Sequence, residues 1–421
     1  MFGKHKTEVL VVGAGPVGLF AALELAERGI EVEIIDGQWR TAAHSYALAL
    51  HPASLELLDR LGLADDLLGR GHVVDTVAFY DGKERRGELR LGELPGKFPF
   101  VLVLPQQALE DTLEKRLAEE KVKVRWNHRL SKLDGGGGQA TARIDKLMKE
   151  ASGYAYSATG WVVDKQVETR ADFVVGADGL KSAVRRELDV EFPELGPRQF
   201  FGVFELNAAM GGANEVRVVL DEGTTNVLWP MRGDHFRWSF QLADDWEFVP
   251  RSRTKSRLTV QVGDEAYPYL DEDKLHELVA ARAPWFDAEI GEVTWSVAVR
   301  FEKRLASSFG SGRVWLAGDA AHVAGPVGVQ SMNVGFREAH DLVEAIHAVL
   351  RGGAPESTLD AYAGERRHEW RTLLGLDGAV QAGDGAGDWM RARGERILPC
   401  VPASGEHLRR LLAQVDLTLE S

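Results

Sequence analysis

Cysteine occurs once, at Cys400. A lone thiol makes no internal disulfide and no thiolate metal site, which excludes the stapled secreted scaffolds and points to a reducing compartment, the cytoplasm. Positive charge is in deficit: 50 Lys and Arg stand against 64 Asp and Glu, a net charge of -14. A chain of that sign is repelled by nucleic-acid backbones and by anionic lipid, so neither is expected as a partner. Long uncharged apolar runs are missing as well. The stretch from Val9 to Ala26 holds Glu24, carries glycines at fixed spacing and leads to no small-residue cleavage site, so it reads as neither an export signal nor a membrane span. There is no internal repeat and no low-complexity tract. What remains is an ordinary globular composition of 44% hydrophobic, 8% aromatic and 27% charged residues over 421 positions, with enough apolar side chain for more than one core.

Local pattern divides the chain. Glu8 to Val12 reads as a buried strand, Pro16 to Arg28 as a helix closed by Gly29, and Val32 to Ile35 as a second strand ending at Asp36, which together make a βαβ start. Helical spacing returns at Ala53 to Leu61 and at Gln106 to Glu120, where Leu109, Leu113 and Leu117 share a face. His72 to Tyr80 and Arg85 to Leu91 flank the Asp81-Gly82 turn as a hairpin. Gly135 to Gly138 reads as a flexible loop, and the pattern from there to Thr169 assigns no element. After the strand Phe173 to Gly176 the texture changes to runs of strands, among them Gln199 to Asn207, Asn226 to Met231 and Phe236 to Leu242. Val293, Trp295, Val297 and Val299 alternate with polar or small residues, as a strand with one buried face requires. Arg313 to Ala317 returns to the first sheet, Met332 to Leu350 is a long helix, and the tail is mainly helical.

Gly13, Gly15, Pro16 and Gly18 occupy the turn between the first strand and the first helix, where bare backbone lets a pyrophosphate approach amide groups. Asp36, at the end of the second strand, is placed to accept hydrogen bonds from ribose hydroxyls. FAD and NAD both fit this much.

Two later segments carry a resemblance. Phe173-Val174-Val175-Gly176-Ala177-Asp178-Gly179-Leu180-Lys181-Ser182-Ala183-Val184-Arg185 resembles the Asp-Gly motif of flavoprotein aromatic hydroxylases. Gly312 to His322, continuing through Pro326, Gly328 and Asn333, is similar to their second FAD motif. The family is the single-component FAD-dependent monooxygenases with the p-hydroxybenzoate hydroxylase fold. The resemblance implies FAD as cofactor, NADPH or NADH as a transient electron donor, O2, and hydroxylation of an aromatic or polycyclic phenolic small molecule through a flavin hydroperoxide. It also implies cofactor contacts from Gln106, Asp178, Gly179, Gly318, Asp319, Pro326, Gly328, Ser331, Met332 and Asn333, and Arg40, just after the Asp36 strand end, is the expected substitute for an arginine of the relatives that this sequence lacks. A carboxylate such as Asp319 just after a strand can accept from ribityl hydroxyls, and the helix beginning near Ser331 directs free amides at a reduced flavin's negative edge. The sequence departs from its relatives where Tyr46 stands for a common arginine, Ser331 for a common glycine and Glu338 for a common aspartate.

The expected fold is α/β: a Rossmann-like FAD-binding domain (1–75, 98–185 and 301–350), an inserted antiparallel β-sheet substrate domain (76–97 and 186–300) and a helical C-terminal region (351–421). Phe201, Trp229, Met231, Arg237 and Trp238 are the expected substrate contacts. His44, His51 and His235 are candidates for a base that ionises a phenol, and no metal is expected. About 50 residues follow the helix around Tyr362 to Trp370, so the thioredoxin-like domain that polyketide-hydroxylating relatives often carry is not expected in this sequence. A monomer or homodimer is expected. The alternatives are a flavin-dependent halogenase, whose Trp-x-Trp-x-Ile-Pro segment is absent, an isoprenoid-type reductase, or a non-catalytic flavin-binding sensor.

Overall fold

A computed structural model of the chain describes residues 4–39, 48–152, 158–210, 214–221, 223–243, 259–262, 265–268, 270–376 and 380–419. The first strand, Lys4–Val12, lies between the parallel strands Val32–Ile35 and Ala158–Gly176, and Val314–Leu316 extends the parallel array beyond the latter. Gly310–Ser311 closes that edge. Strand and helix alternate here, so both faces of the array are covered and its members are continuous apolar runs: Val9, Leu10 and Val11 are fully buried. The helix Pro16–Glu27 covers one face, and Phe20 meets Phe336 of the long helix Gln330–Gly352 edge to face at 5.0 Å.

The stretch that the sequence pattern left unassigned is an antiparallel meander. His128–Asp134, Ala140–Ser152 and Ala158–Gly176 pair in succession onto the same sheet. Its charged segments, such as Asp164-Lys165-Gln166 and Glu168-Thr169-Arg170, hide the strand signal because much of this ribbon faces water. Gly135 to Gly138 forms the turn between the first two strands.

A second sheet runs in the order Ile290–Phe301, Gln199–Ala208, His235–Gln241, Thr225–Pro230, Glu215–Leu220, Thr76–Asp81, Glu84–Arg90. Its pairs are antiparallel except Glu215–Leu220 against Thr76–Asp81, which is parallel. The hairpin expected around Asp81-Gly82 therefore belongs to this sheet, and His72–Val74 pairs separately with Val101–Val103. Both faces are buried. Phe201, Val203, Trp229, Val297 and Val299 join the main core, while Phe204, Trp238, Phe240 and Leu242 pack under the helix Glu272–Arg282 with Trp285 and Phe286. The helices Ser357–Leu373, Asp388–Ile397 and Gly405–Ala413, with the antiparallel strand pair Val380–Ala382 and Leu417–Leu419, complete the described chain. Among the described residues no helix is long and apolar enough to cross a membrane.

Candidate cofactor and substrate site

Three motif loops meet at the carboxyl ends of the parallel strands, where open α/β sheets leave a crevice. The Gly13 amide donates to the Ile35 carbonyl, the Ala177 amide to Val12 and the Ala317 amide to Gly176, so each loop leaves the sheet from a neighbouring strand. Two glycines of the first loop serve this contact. Gly13 has φ +106°, and a Cβ on it would overlap the Ala177 carbonyl; a Cβ on Gly18 would overlap the Gly13 carbonyl. Val17 is the common neighbour of the third motif. A Cβ on Gly335 would come within 2.7 Å of its Cγ2, and one on Gly318 within 3.1 Å.

Gly15 differs from its companions. Its backbone is extended (φ −74°, ψ 179°), open to any residue, and a Cβ there would meet no atom within 4 Å. Protein packing does not require glycine at this position, whereas a dinucleotide lying on the loop would. Pro16 follows as the first helical residue, where its missing N–H costs nothing. Asp36 accepts from the Ala14 amide through Oδ2 and from the Gln38 amide through Oδ1, both at 2.7 Å, so it shapes the loop while keeping lone pairs for a ribose. The donor set and the bare backbone fit FAD. Arg40, His44 and Tyr46 lie outside the described residues.

Asp178 is a structural cap first. Its carboxylate accepts from the Ser182 hydroxyl and from the Ala183 and Val184 amides, opening the short helix Ala183–Glu187. Burial pushes its pKa up, against those hydrogen bonds. Gly179, at φ +75°, makes the turn that glycine is needed for. Arg185 ties this motif to the next: it is buried, donates to the Ala320 and Leu180 carbonyls, and lies 3.8 Å from the Phe192 ring centre. Burial brings its pKa down to about 10.

Asp319 sits on the short turn Gly318–Ala320 and opens to solvent at the cleft, although it lies deep in the molecule. Surrounding protein raises its pKa, with Glu338 adding to the push and His322 opposing it; water in the open cleft moderates that rise. The turn is anchored from below. Glu338, fully buried, accepts from the Gly318 amide at 2.8 Å, from the Trp370 indole, and pairs with His322 Nε2 at 2.8 Å. Burial alone would raise the Glu338 carboxyl, yet its net shift is downward, because His322 and the donated hydrogen bonds favour the anion.

The third motif's far end is a loop beside the long helix. Ala324, Gly325 and Pro326 are half-buried, and Gln199 of the second sheet lies against Gly325. Gly328 is closely packed by the tail: its amide donates to Pro399, and a Cβ would reach 2.6 Å from that carbonyl. Val329 then takes a left-handed conformation, φ +50° and ψ +40°, uncommon for a β-branched residue. Ser331, half-buried, accepts from the Ala324 amide at 3.2 Å, and Met332 is buried. Asn333 is fully committed to the protein. It accepts from the His51 amide and Ser54 hydroxyl and donates to the Ala49 and Val329 carbonyls, so its side chain clamps the helix start. His51 bonds to the Gly328 carbonyl at 2.9 Å, and burial pushes its pKa down to about 3, a structural role. His235 is exposed at the head of its strand.

The expected substrate residues separate by strand alternation. Phe201, Trp229 and Arg237 share the face turned to the main core, with Met231 partly buried at its margin, while Trp238 faces the other way and stacks on Phe240 at 4.6 Å. Trp238 is thus removed from the group, since adjacent strand residues point to opposite faces. Arg237 carries a partner that sequence reading missed: its Nε donates to Glu205 Oε1 at 2.9 Å, and Trp295 lies beside it, 5.8 Å from guanidinium to ring centre. The opposite charges on neighbouring strands were the available signal. Gln106 opens the helix Gln106–Glu119 and donates from Nε2 to Glu110 at 2.7 Å, a second residue that the sequence did not single out.

Comparison with known proteins follows the same lines. Residues 6–375 match the family model described as FAD binding domain. The 6-methylpretetramide 4-monooxygenase of Streptomyces rimosus is 32% identical over 362 residues, covering 85% of this chain and 59% of that protein. The pentachlorophenol 4-monooxygenase of Sphingobium chlorophenolicum is 27% identical, over 87% of this chain and 63% of its own. The chain thus spans about three fifths of the length of these two relatives. In structure, p-nitrophenol 4-monooxygenase PnpA from Pseudomonas putida DLL-E4 superposes with a TM-score of 0.71 at 22% identity, over 97% of this chain and 98% of that one. With this cleft, these motifs and a family match across most of its length, the chain belongs to the FAD-binding-domain family, among relatives named as flavin-dependent aromatic monooxygenases.

Proposed function

We propose that this chain is an FAD-dependent monooxygenase that hydroxylates an aromatic or polycyclic phenolic small molecule with O2, drawing electrons from NADPH or NADH. The observation that carries the reading is the convergence of the three motif loops on one crevice, with the second sheet's core-facing side presented beyond Gly325. Relatives acting on 6-methylpretetramide and pentachlorophenol support the substrate class.

Gly15, Asp36 and the Ala14 amide would take the dinucleotide end, Gln106 and Asp319 the ribityl chain, and the loop Ala324–Gly328 with the start of the long helix the ring. Bound there, FAD supplies two-electron redox chemistry and the activation of O2. The chain's own work is to hold and shield. The amides at the start of the long helix favour negative charge beside them, and the packed apolar face of the second sheet excludes water from the reacting ring. Arg237 is charge-balanced by Glu205, so this pair suits a neutral hydroxyl or carbonyl group better than a free carboxylate. On this reading residues 76–97 and 186–300 form the inserted substrate domain, and the tail helices brace the cofactor loop through Pro399.

Purified protein reconstituted with FAD is assayed for NADPH oxidation in the presence of simple phenols and of polycyclic phenols such as anhydrotetracycline, under 18O2. Substrate-stimulated oxidation with one labelled oxygen in the product is the expected result. Chloride incorporation, a saturated product, or a product without label overturns it. That last outcome has a precedent in fold, because the Diels-Alderase PyrE3 of the pyrroindomycin pathway superposes with a TM-score of 0.63 at 25% identity.

A further inference from the structure

The ribbon of Ala140–Ser152 and Ala158–Gly176 runs past the sheet it belongs to. Among the described residues, its two strands stay paired beyond Lys146 and Lys165, where neither His128–Asp134 nor the first strand accompanies them. From Leu147 and Val163 onward it is a two-stranded arm, and two strands alone are marginal in water. The arm nevertheless presents large side chains to solvent. Trp161 is 47% exposed and Met148 44%. Lys149 is the cross-strand partner of Trp161 and shares its face, while Met148, one residue away, points to the other. The Lys149 ammonium lies 5.2 Å from the Trp161 ring centre and 5.5 Å from that of Trp39, itself 50% exposed. Such an ammonium is held by the electron-rich ring faces. Other cations of the ribbon are matched to acids, Lys146 to Asp164 and Arg129 to Asp145. Among the described residues Lys149 has no carboxylate within ion-pair distance, in a chain whose acids outnumber its bases.

A relay of hydrogen bonds ties this arm to the glycine loop. The Ala14 and Gln38 amides donate to Asp36, the Asn127 amide to the Gln38 carbonyl and the Leu147 amide to the Asn127 carbonyl, each at 2.7 Å. Trp39 follows Gln38 directly. The two indoles and the ammonium between them therefore stand at the Asp36 end of the crevice, beside the carboxylate read as the ribose acceptor. An adenosine nucleotide complements such a group. Its purine is a flat ring for an indole face, and its ring nitrogens and phosphate oxygens accept from an ammonium.

We propose that Trp39, Lys149 and Trp161 form an adenosine-nucleotide site at this end of the crevice, with the purine against an indole and Lys149 donating to the nucleotide. The proposal rests on the reading of the crevice as the FAD site and adds the arm to it. Two molecules of the proposed reaction bear an adenosine: FAD itself, and the nicotinamide donor laid along the same crevice.

The test compares the native chain with Trp161→Ala, Lys149→Gln and Met148→Ala, the last on the arm's other face. FAD is titrated into each apoprotein and followed by flavin fluorescence; ADP and adenosine 2′,5′-bisphosphate are titrated into each FAD-loaded protein by calorimetry. Trp161→Ala is expected to raise Kd at least about fivefold, the lower end of what a purine stacked on an aromatic ring supplies. The rise falls in the FAD titration if the cofactor's adenosine occupies the site, and in the other two if the donor's does. Lys149→Gln is expected to weaken the same titration and to flatten its salt dependence. Met148→Ala is expected to bind as the native chain does. Thermal unfolding of each apoprotein separates loss of fold from loss of contact. A Kd unchanged by Trp161→Ala in every titration, or an equal loss in Met148→Ala, overturns the proposal while leaving the FAD site intact. Failure of the native chain to bind FAD overturns the site and the proposal together.

Discussion

Gly13 and Gly15 stand two positions apart, and the structure gives them opposite reasons for being glycine. Alanine at Gly13 has to adopt φ +106° and to place its Cβ against the Ala177 carbonyl. The left-handed conformation costs about 1–2 kcal/mol, and relieving the overlap costs about 1–3 kcal/mol more, because the obstacle is backbone just past a strand end, held by the hydrogen bond from the Ala177 amide to Val12. At about 2–4 °C per kcal/mol for a domain of this class, the apoprotein melts about 4–20 °C lower. Alanine at Gly15 meets no atom within 4 Å and needs no unusual dihedral. Its cost to the fold is the N-cap preference of glycine over alanine, under about 1 kcal/mol. Its cost to FAD binding is expected to exceed tenfold in Kd, about 1.4 kcal/mol, since the methyl group occupies the space the pyrophosphate needs. The assay is differential scanning fluorimetry of both apoproteins beside FAD titration. A Gly15→Ala variant that binds FAD as the native chain does refutes the placement of the cofactor, and a Gly13→Ala variant that melts with the native chain refutes the packing argument.

The remaining predictions concern the supports of the crevice. Glu338→Ala leaves the Gly318 amide, the Trp370 indole and His322 without their buried acceptor, a loss of about 3–5 kcal/mol measured by denaturant unfolding; unfolding within 1 kcal/mol of native argues against the network. Because the folded-state pKa of Glu338 lies below its ordinary value of 4.5, its stabilisation is complete above that value and is lost as the pH falls through the lower one. The gap in melting temperature between the native chain and Glu338→Gln is therefore expected to narrow below pH 4.5, and a constant gap contradicts this. Val329→Gly relieves the left-handed strain at φ +50° but empties the space of a buried isopropyl group, and is expected to destabilise the apoprotein by about 1–3 kcal/mol net; an apoprotein at least as stable as the native chain would show that the strain outweighs the packing.

Much of this was legible in the sequence because glycine punctuates it. Gly13, Gly18 and Gly29 mark both ends of the first helix, and strand, helix, strand and Asp36 follow in the order found. The long helix ends where Gly352-Gly353 indicates, with Gly353 left-handed at its C-cap. The second sheet's strands were readable, but not which way their aromatics face. Trp229 and Trp238 look alike because the sheet is buried on both sides, so no polar alternation distinguishes the inner face from the outer. The ribbon from Ala140 to Thr169 was hidden for the opposite reason, its charged residues resembling a loop. Glu110 escaped because helical periodicity draws attention to Leu109, Leu113 and Leu117 and treats the acid between them as solvated. Only three-dimensional packing shows that it is not.

The loop from Ala324 to Gly328 is held from the far end of the chain: Gly328 bonds to Pro399, and Gln330 reaches the Leu398 and Val401 carbonyls. During synthesis, then, the parallel strands and their glycine turn can form early, while the loop Ala324–Gly328 waits for residues some seventy positions later to leave the ribosome. A nascent chain halted before Leu398 has the glycine turn but lacks the clasp on the loop Ala324–Gly328, so on the proposed placement of the cofactor its capture would come late in synthesis.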